Sequence, residues 1–123
     1  MFKKKLNLKD KIFSIASKKE FEKIALQVFR YQYNNNKVYQ KYCNQLNRDI
    51  SQIKKSSDIP FLPISMFKKH QIISGSAQFE TIFESSGTTG IETSKHYIKD
   101  LDFYEESFLK TFQLFYGNPE NYT

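Results

Sequence analysis

Four hydroxyl side chains and two glycines occupy six consecutive positions, Ser85-Ser86-Gly87-Thr88-Thr89-Gly90. Glycine permits positive φ and close backbone approach, so neighbouring N–H groups can converge on one point. The hydroxyls of Ser85, Ser86, Thr88 and Thr89 add side-chain donors for phosphate oxygens. The stretch therefore reads as a phosphate-cradling loop. Ser, Thr and Gly also dominate ordinary polar turns, and on these six residues alone both readings stand. Lys95 follows a few positions later. Its long stem can carry a point charge to the phosphates, or it can stand as a solvated strand lysine.

The flanking segments position this loop. Phe79-Glu80-Thr81-Ile82-Phe83 alternates apolar and polar residues as a half-buried strand does. Thr93 to Asp100 reads as a second strand. From Leu101 to Tyr116 the residues Leu101, Tyr104, Phe108, Phe112, Phe115 and Tyr116 recur at helical spacing. Asp100 is suited to the N-cap, and Asp102, Glu105 and Glu106 suit the positive end of the helix dipole. Gly117 followed by Pro119 is a stop signal.

Strand, Ser-Ser-Gly-Thr-Thr-Gly, strand and helix resemble the phosphate-binding hairpin of the adenylate-forming, acyl-activating enzymes. Within them the chain resembles the acyl-protein synthetases, the long-chain-fatty-acid–protein ligase family. The likeness is carried by Phe83 to Gly90 with Ser94-Lys95-His96-Tyr97, by Ile59-Pro60-Phe61-Leu62-Pro63-Ile64, and by Phe29-Arg30-Tyr31-Gln32-Tyr33-Asn34. It runs from about Ile12 to Tyr116, and only the hairpin is specific to the chemistry. The resemblance implies a two-step reaction: a fatty or other carboxylic acid attacks the α-phosphate of ATP, and the acyl group of the resulting adenylate passes to a thiol or protein acceptor. It also implies that Ser85, Ser86, Gly87, Thr88, Thr89, Gly90 and Lys95 hold the β- and γ-phosphates of ATP, with Mg2+ expected alongside. The family's usual x-Pro-Lys after the last glycine is replaced here by Ile91-Glu92-Thr93-Ser94-Lys95, which lacks the proline and brings the lysine two residues late. By the same likeness the adenine pocket, the metal-binding acid, the acyl tunnel and the C-terminal lid belong beyond Thr123. The chain is thus expected to be an incomplete N-terminal part of an adenylate-forming domain, inactive by itself, with catalytic residues unknown.

Composition bounds the remaining possibilities. The 123 residues suit one domain, and an aromatic content of 16% supplies buried area that the modest aliphatic content does not. No run approaches the length of a membrane span. Met1-Phe2-Lys3-Lys4-Lys5 has no apolar stretch behind it, so no secretory signal is expected. A single cysteine, Cys43, fits a reducing cytoplasm. Residues 1–75 hold 16 Lys/Arg against 5 Asp/Glu, and residues 76–123 hold 3 against 8. The basic half is either a set of solvated helix faces or a field that steers ATP, an acidic protein or a nucleic-acid backbone. With 17 lysines to 2 arginines, bidentate base readout is not supported. The alternative to the ligase is therefore a non-catalytic binding module that uses this basic face.

The first half reads as helical support. Ser17-Lys18-Lys19-Glu20 is a capping box, followed by the stripe Phe21, Ile24, Ala25, Val28 and Phe29. Asn34-Asn35-Asn36 ends that helix, and Val38, Tyr39, Tyr42, Cys43 and Leu46 repeat the spacing in a second. Cys43 falls in the stripe as a packed thiol. The prolines of Ile59 to Ile64 exclude regular helix and leave an apolar strap over the helices, after which Ser65 caps a short turn through Met66, Phe67 and Lys69. His70, His96 and Cys43 are too few and too scattered for a zinc site, so no metal ligands are assigned. His96, beside Lys95, reads either as a contact to phosphate or acyl group or as a surface strand residue. A P-loop lysine directly after glycine is absent. The fold expected is α/β: N-terminal helices, a β-hairpin carrying the phosphate loop, and a C-terminal helix. One domain spans 1–123, helical over 1–58, with connector, hairpin and helix over 59–123.

Overall fold

The computed structural model describes residues 7–87 and 92–122. In chain order they form α1 (Leu8–Phe13), α2 (Lys18–Asn35), α3 (Lys37–Gln45), two 3-10 turns (Ile50–Gln52 and Ser56–Asp58) and α4 (Met66–Lys69). The strands β1 (Thr81–Glu84) and β2 (Lys95–Ile98) follow, then α5 (Leu101–Tyr116) and a final 3-10 turn, Pro119–Asn121. Among the described residues the architecture is mixed: helices plus one two-stranded antiparallel sheet, in the order expected of an α/β chain.

The helices begin where polar side chains satisfy free N–H groups. Ser17 accepts from the Glu20 N–H at 3.1 Å. The Glu20 carboxylate accepts from the Ala16 N–H at 2.8 Å, one residue before the partner a regular capping box uses. Asn36 both ends α2, donating its N–H to Gln32 O at 2.8 Å, and starts α3, accepting from the Tyr39 N–H at 3.1 Å. The chain thus turns its corner at one buried residue. Ser65 makes no capping bond and α4 starts instead from a turn in which Met66 N–H donates to Pro63 O at 2.9 Å.

The core lies between α2 and α3. Phe29, Tyr39, Cys43 and Ile53 are buried, with Leu26, Tyr33, Tyr42, Ile50, Ile59 and Leu62 packed around them. Phe29 meets Tyr39 edge-on at 6.2 Å, a favoured aromatic geometry. Cys43 is fully buried and burial pushes its thiol up, as expected of a packed rather than reactive cysteine. The strap closes this core: Pro60 is buried, and its carbonyl accepts from the Tyr39 hydroxyl at 2.6 Å. Phe61 and Ile64 point the other way and are exposed. The Glu22 carboxylate on α2 accepts from the Ser56 N–H at 2.8 Å and the Ser56 hydroxyl at 2.5 Å. These bonds fix the connector to the helices and hold the Glu22 carboxyl below the usual carboxylate range.

A second tie joins the helices to the hairpin. Gly75 adopts φ +75°, a conformation that favours glycine, and donates its N–H to Asn35 O at the end of α2 at 2.8 Å. The Lys99 ammonium donates to Ser74 O at 2.8 Å, to Ser76 O at 2.9 Å and to the Ser76 hydroxyl at 3.2 Å. The lysine just past β2 therefore grips the same turn that docks on α2.

Asp100 caps α5, accepting from the Phe103 N–H at 2.9 Å and pairing with Lys9 of α1. The Lys9 ammonium and the Phe103 N–H hold its carboxyl below the usual range. Gly117 at φ +81° ends α5 by donating its N–H to Gln113 O at 3.0 Å. At the N-terminal end of α5 Phe103 meets Phe13 at 5.4 Å, and towards its C-terminal end Phe112 meets Tyr122 edge-on at 5.7 Å. No residue of α5 is buried, and Leu114 and Phe115 are 80% and 72% exposed.

Candidate functional site

The hairpin brings the ends of the hydroxyl-rich loop together. β1 and β2 pair in the register Thr81↔Ile98, Ile82↔Tyr97, Phe83↔His96 and Glu84↔Lys95. Pairing continues one step beyond the strands. The Ser85 N–H donates to Ser94 O at 3.0 Å, and the Ser94 N–H donates to the Ser85 hydroxyl oxygen, also at 3.0 Å. The Ser85 side chain thus replaces a backbone carbonyl in the ladder. Since its oxygen accepts, its own proton stays free to donate to a ligand. Ser86 and Gly87 follow, both exposed. Thr88, Thr89 and Gly90 lie outside the described residues.

Lys95 stands at the base of the loop. Its Nζ is 4.0 Å from Glu84 Oε1, and both side chains are about half exposed. An exposed pair of this kind contributes about 0–1 kcal/mol, so the ammonium can exchange this carboxylate for another anion at little cost. Glu84 also accepts from the Thr93 hydroxyl at 3.4 Å. The loop base therefore carries one negative and one positive side chain.

Strand alternation puts Phe83 and His96 on the opposite face from Glu84 and Lys95. Phe83 meets Tyr104 of α5 at 5.0 Å, and the His96 ring stacks on Phe67 of α4 at 4.7 Å between centroids. His96 Nε2 lies 3.3 Å from the hydroxyl of buried Ser94. The histidine is thus not a free surface residue: Phe67 and Ser94 hold its ring. Ser94 and His96 were missed as a pair by sequence reasoning, although their two-residue spacing on an extended segment places them on one face.

Beside the hairpin lies a cleft of about 1140 Å³. Ile24 and Val28 of α2 form one wall, Pro60 and Leu62 of the strap another, and Tyr97, Ile98 and Phe103 the third. Its lining is mainly apolar, with Gln32, Asn36 and Ser74 at one side. Among the described residues no three His, Cys, Asp or Glu side chains gather as a metal cage, and no helix is long and apolar enough to cross a membrane.

The model of the acyl-protein synthetase LuxE family matches residues 9–99, from α1 to the end of the hairpin. The chain belongs to the acyl-protein synthetase family. A relative in this family, the long-chain-fatty-acid–luciferin-component ligase of Photorhabdus luminescens, is 34% identical over 73 residues, which are 58% of this chain. The match covers 62% of that relative, so the chain spans about three fifths of its length. No solved structure matches the chain. Family membership agrees with the likeness carried by the hairpin and the strap, and the matched span contains both.

Proposed function

We propose that the chain is the N-terminal part of an ATP-dependent acyl-activating ligase. In this reading a fatty or other carboxylic acid attacks the α-phosphate of ATP, and the acyl-adenylate then gives up its acyl group to a thiol of a protein acceptor. The chain's share is to hold the departing pyrophosphate. Ser85, Ser86, Gly87, Thr88, Thr89 and Gly90 supply hydroxyl and backbone donors, and Lys95 supplies charge. Donors aimed where charge develops, in a site that need not reorganise, are the main source of catalysis in such transfers. Mg2+ would accompany the nucleotide by way of its phosphates, since among the described residues no three His, Cys, Asp or Glu side chains gather as a metal cage. The reading places the protein in the cytoplasm, where free Cys43 stays reduced.

The observation that carries this reading is the closed stem: Ser85 and Ser94 join the loop's ends and leave the Ser85 proton free. Calorimetry of the chain with ATP and with inorganic pyrophosphate tests it. Ser86→Ala combined with Thr88→Ala is expected to weaken binding about tenfold or more, from two lost hydrogen bonds to a charged group. Equal affinity in this variant and the wild type would sink the assignment. The basic first half supports a second reading, a binding module for an acidic partner. That reading predicts affinity falling steeply with salt and indifferent to the loop substitutions.

A further inference from the structure

His96 is bound on two sides. Its ring stacks on Phe67 with 27° between planes, and its Nε2 meets the Ser94 hydroxyl at 3.3 Å. Ser94 is 5% exposed, so a partner for its hydroxyl must come from the protein. The backbone N–H of the same Ser94 holds the Ser85 oxygen at 3.0 Å. A continuous chain of contacts therefore runs from α4 through Phe67, His96 and Ser94 to the first hydroxyl of the loop.

We propose that His96 is a positioning residue for the phosphate loop: by fixing Ser94 it fixes the Ser85 hydroxyl, and with it the direction in which that proton is offered to pyrophosphate. This rests on the phosphate-loop reading above. His96 touches no phosphate in this role. It acts through Ser94, and Phe67 supplies the apolar platform that keeps the imidazole in plane. Ser94 lies one residue outside β2, where its two bonds to Ser85 end the pairing; the imidazole adds a side-chain tie at that last step. A ligand that needs the Ser85 donor then meets it already oriented, which spares the ordering cost that binding would otherwise carry.

The test is calorimetric titration of inorganic pyrophosphate into the 123-residue chain and its variants, with thermal midpoints measured alongside. His96→Leu, which keeps an apolar contact to Phe67 but no hydrogen bond, is expected to weaken binding about fivefold. His96→Gln, whose amide reaches the place of Nε2, is expected to return affinity to within about twofold. Ser94→Ala should match His96→Leu, and the double variant should be no weaker than either, as for two members of one chain of contacts. If His96→Leu does not fold, Ser94→Ala and His96→Gln still carry the comparison. Wild-type affinity in His96→Leu or Ser94→Ala, together with loss of binding in Ser86→Ala, overturns the positioning role alone. A His96→Gln variant as weak as His96→Leu overturns it too, since packing rather than the hydrogen bond would then matter. No pyrophosphate binding by the wild type, or none lost in Ser86→Ala, overturns the phosphate-loop reading and this proposal with it.

Discussion

Replacing Tyr39 by Phe isolates one hydrogen bond between the helical core and the strap. The Tyr39 hydroxyl donates to the carbonyl of buried Pro60 at 2.6 Å. The ring packs edge-on against Phe29 and would stay in place, so no cavity opens. What remains is an acceptor with no partner in an apolar setting, which costs about 1–3 kcal/mol. Unfolding entropy of roughly 2.1 cal/mol/K per residue, taken over the chain, gives about 0.26 kcal/mol/K. The expected fall in Tm is therefore about 4–12 °C. Burial also pushes the Tyr39 phenol well above its ordinary range. A group raised in the folded state stabilises fully below its unfolded pKa of about 10, and that contribution is lost as pH rises past it. Scanning calorimetry at pH 7 and at pH 10.5 should thus show the gap between wild type and Tyr39→Phe narrowing at the higher pH. A Tm within 1 °C of wild type at pH 7 would refute the view that this bond anchors the strap.

Gly75→Ala places a side chain at φ +75° with its Cβ 3.2 Å from Lys99 Nζ; the left-handed backbone costs about 1–2 kcal/mol, a Tm loss of roughly 4–8 °C, and Gly75→Asn should lose less because Asn tolerates that region. Asp100 has a depressed pKa through Lys9 and the Phe103 N–H, so its stabilising effect is present above about pH 4 and is lost as pH falls further. A Tm series from pH 7 to pH 2.5 should accordingly fall less steeply in Asp100→Asn than in wild type; parallel curves would exclude the pairing. Glu84→Gln frees Lys95 from its 4.0 Å partner and removes a negative charge beside the loop, so pyrophosphate affinity is expected to rise about two- to threefold at low salt. An unchanged affinity would show that Lys95 does not serve the loop.

Local signals in this sequence translated well into structure. Asp100 and Gly117 bracket α5 at Leu101–Tyr116 because the cap and the left-handed stop act within one turn. Ser17 opens α2, and the run of asparagines ends it at Asn35. Cys43 sits inside the core that its helical spacing indicated. The strands are shorter than alternation suggested, β1 starting at Thr81 and β2 at Lys95, because pairing needs both partners at once. The aromatic stripe of α5 has the spacing of a buried face, yet Tyr104, Phe108, Phe115 and Tyr116 are exposed; periodicity shows that a helix has an apolar side and not what covers it. Long-range ties were illegible. Glu22 with Ser56, and Lys99 with the Ser74–Ser76 turn, join residues more than twenty positions apart by side-chain bonds that no local pattern announces. At the loop, residue types indicated donors, but only the register showed that the Ser85 oxygen is already engaged and that Lys95 faces Glu84.

The closed stem also determines how freely this loop can change length. Ser85 and Ser94 are nine positions apart in sequence and bonded in space. Whatever lies between them, the residue after Ser94 emerges opposite Glu84. Lengthening a connection between fixed ends is cheap in closure entropy, about 0.6 kcal/mol for a doubling. The two extra residues that separate Gly90 from Lys95, relative to the family's usual spacing, therefore need not displace the ammonium from the mouth of the loop. On the phosphate-loop reading proposed above, insertions and deletions between Gly87 and Thr93 would vary ligand fit with the lysine held at a constant address, and residue counting along the chain would be a poor ruler for such a site.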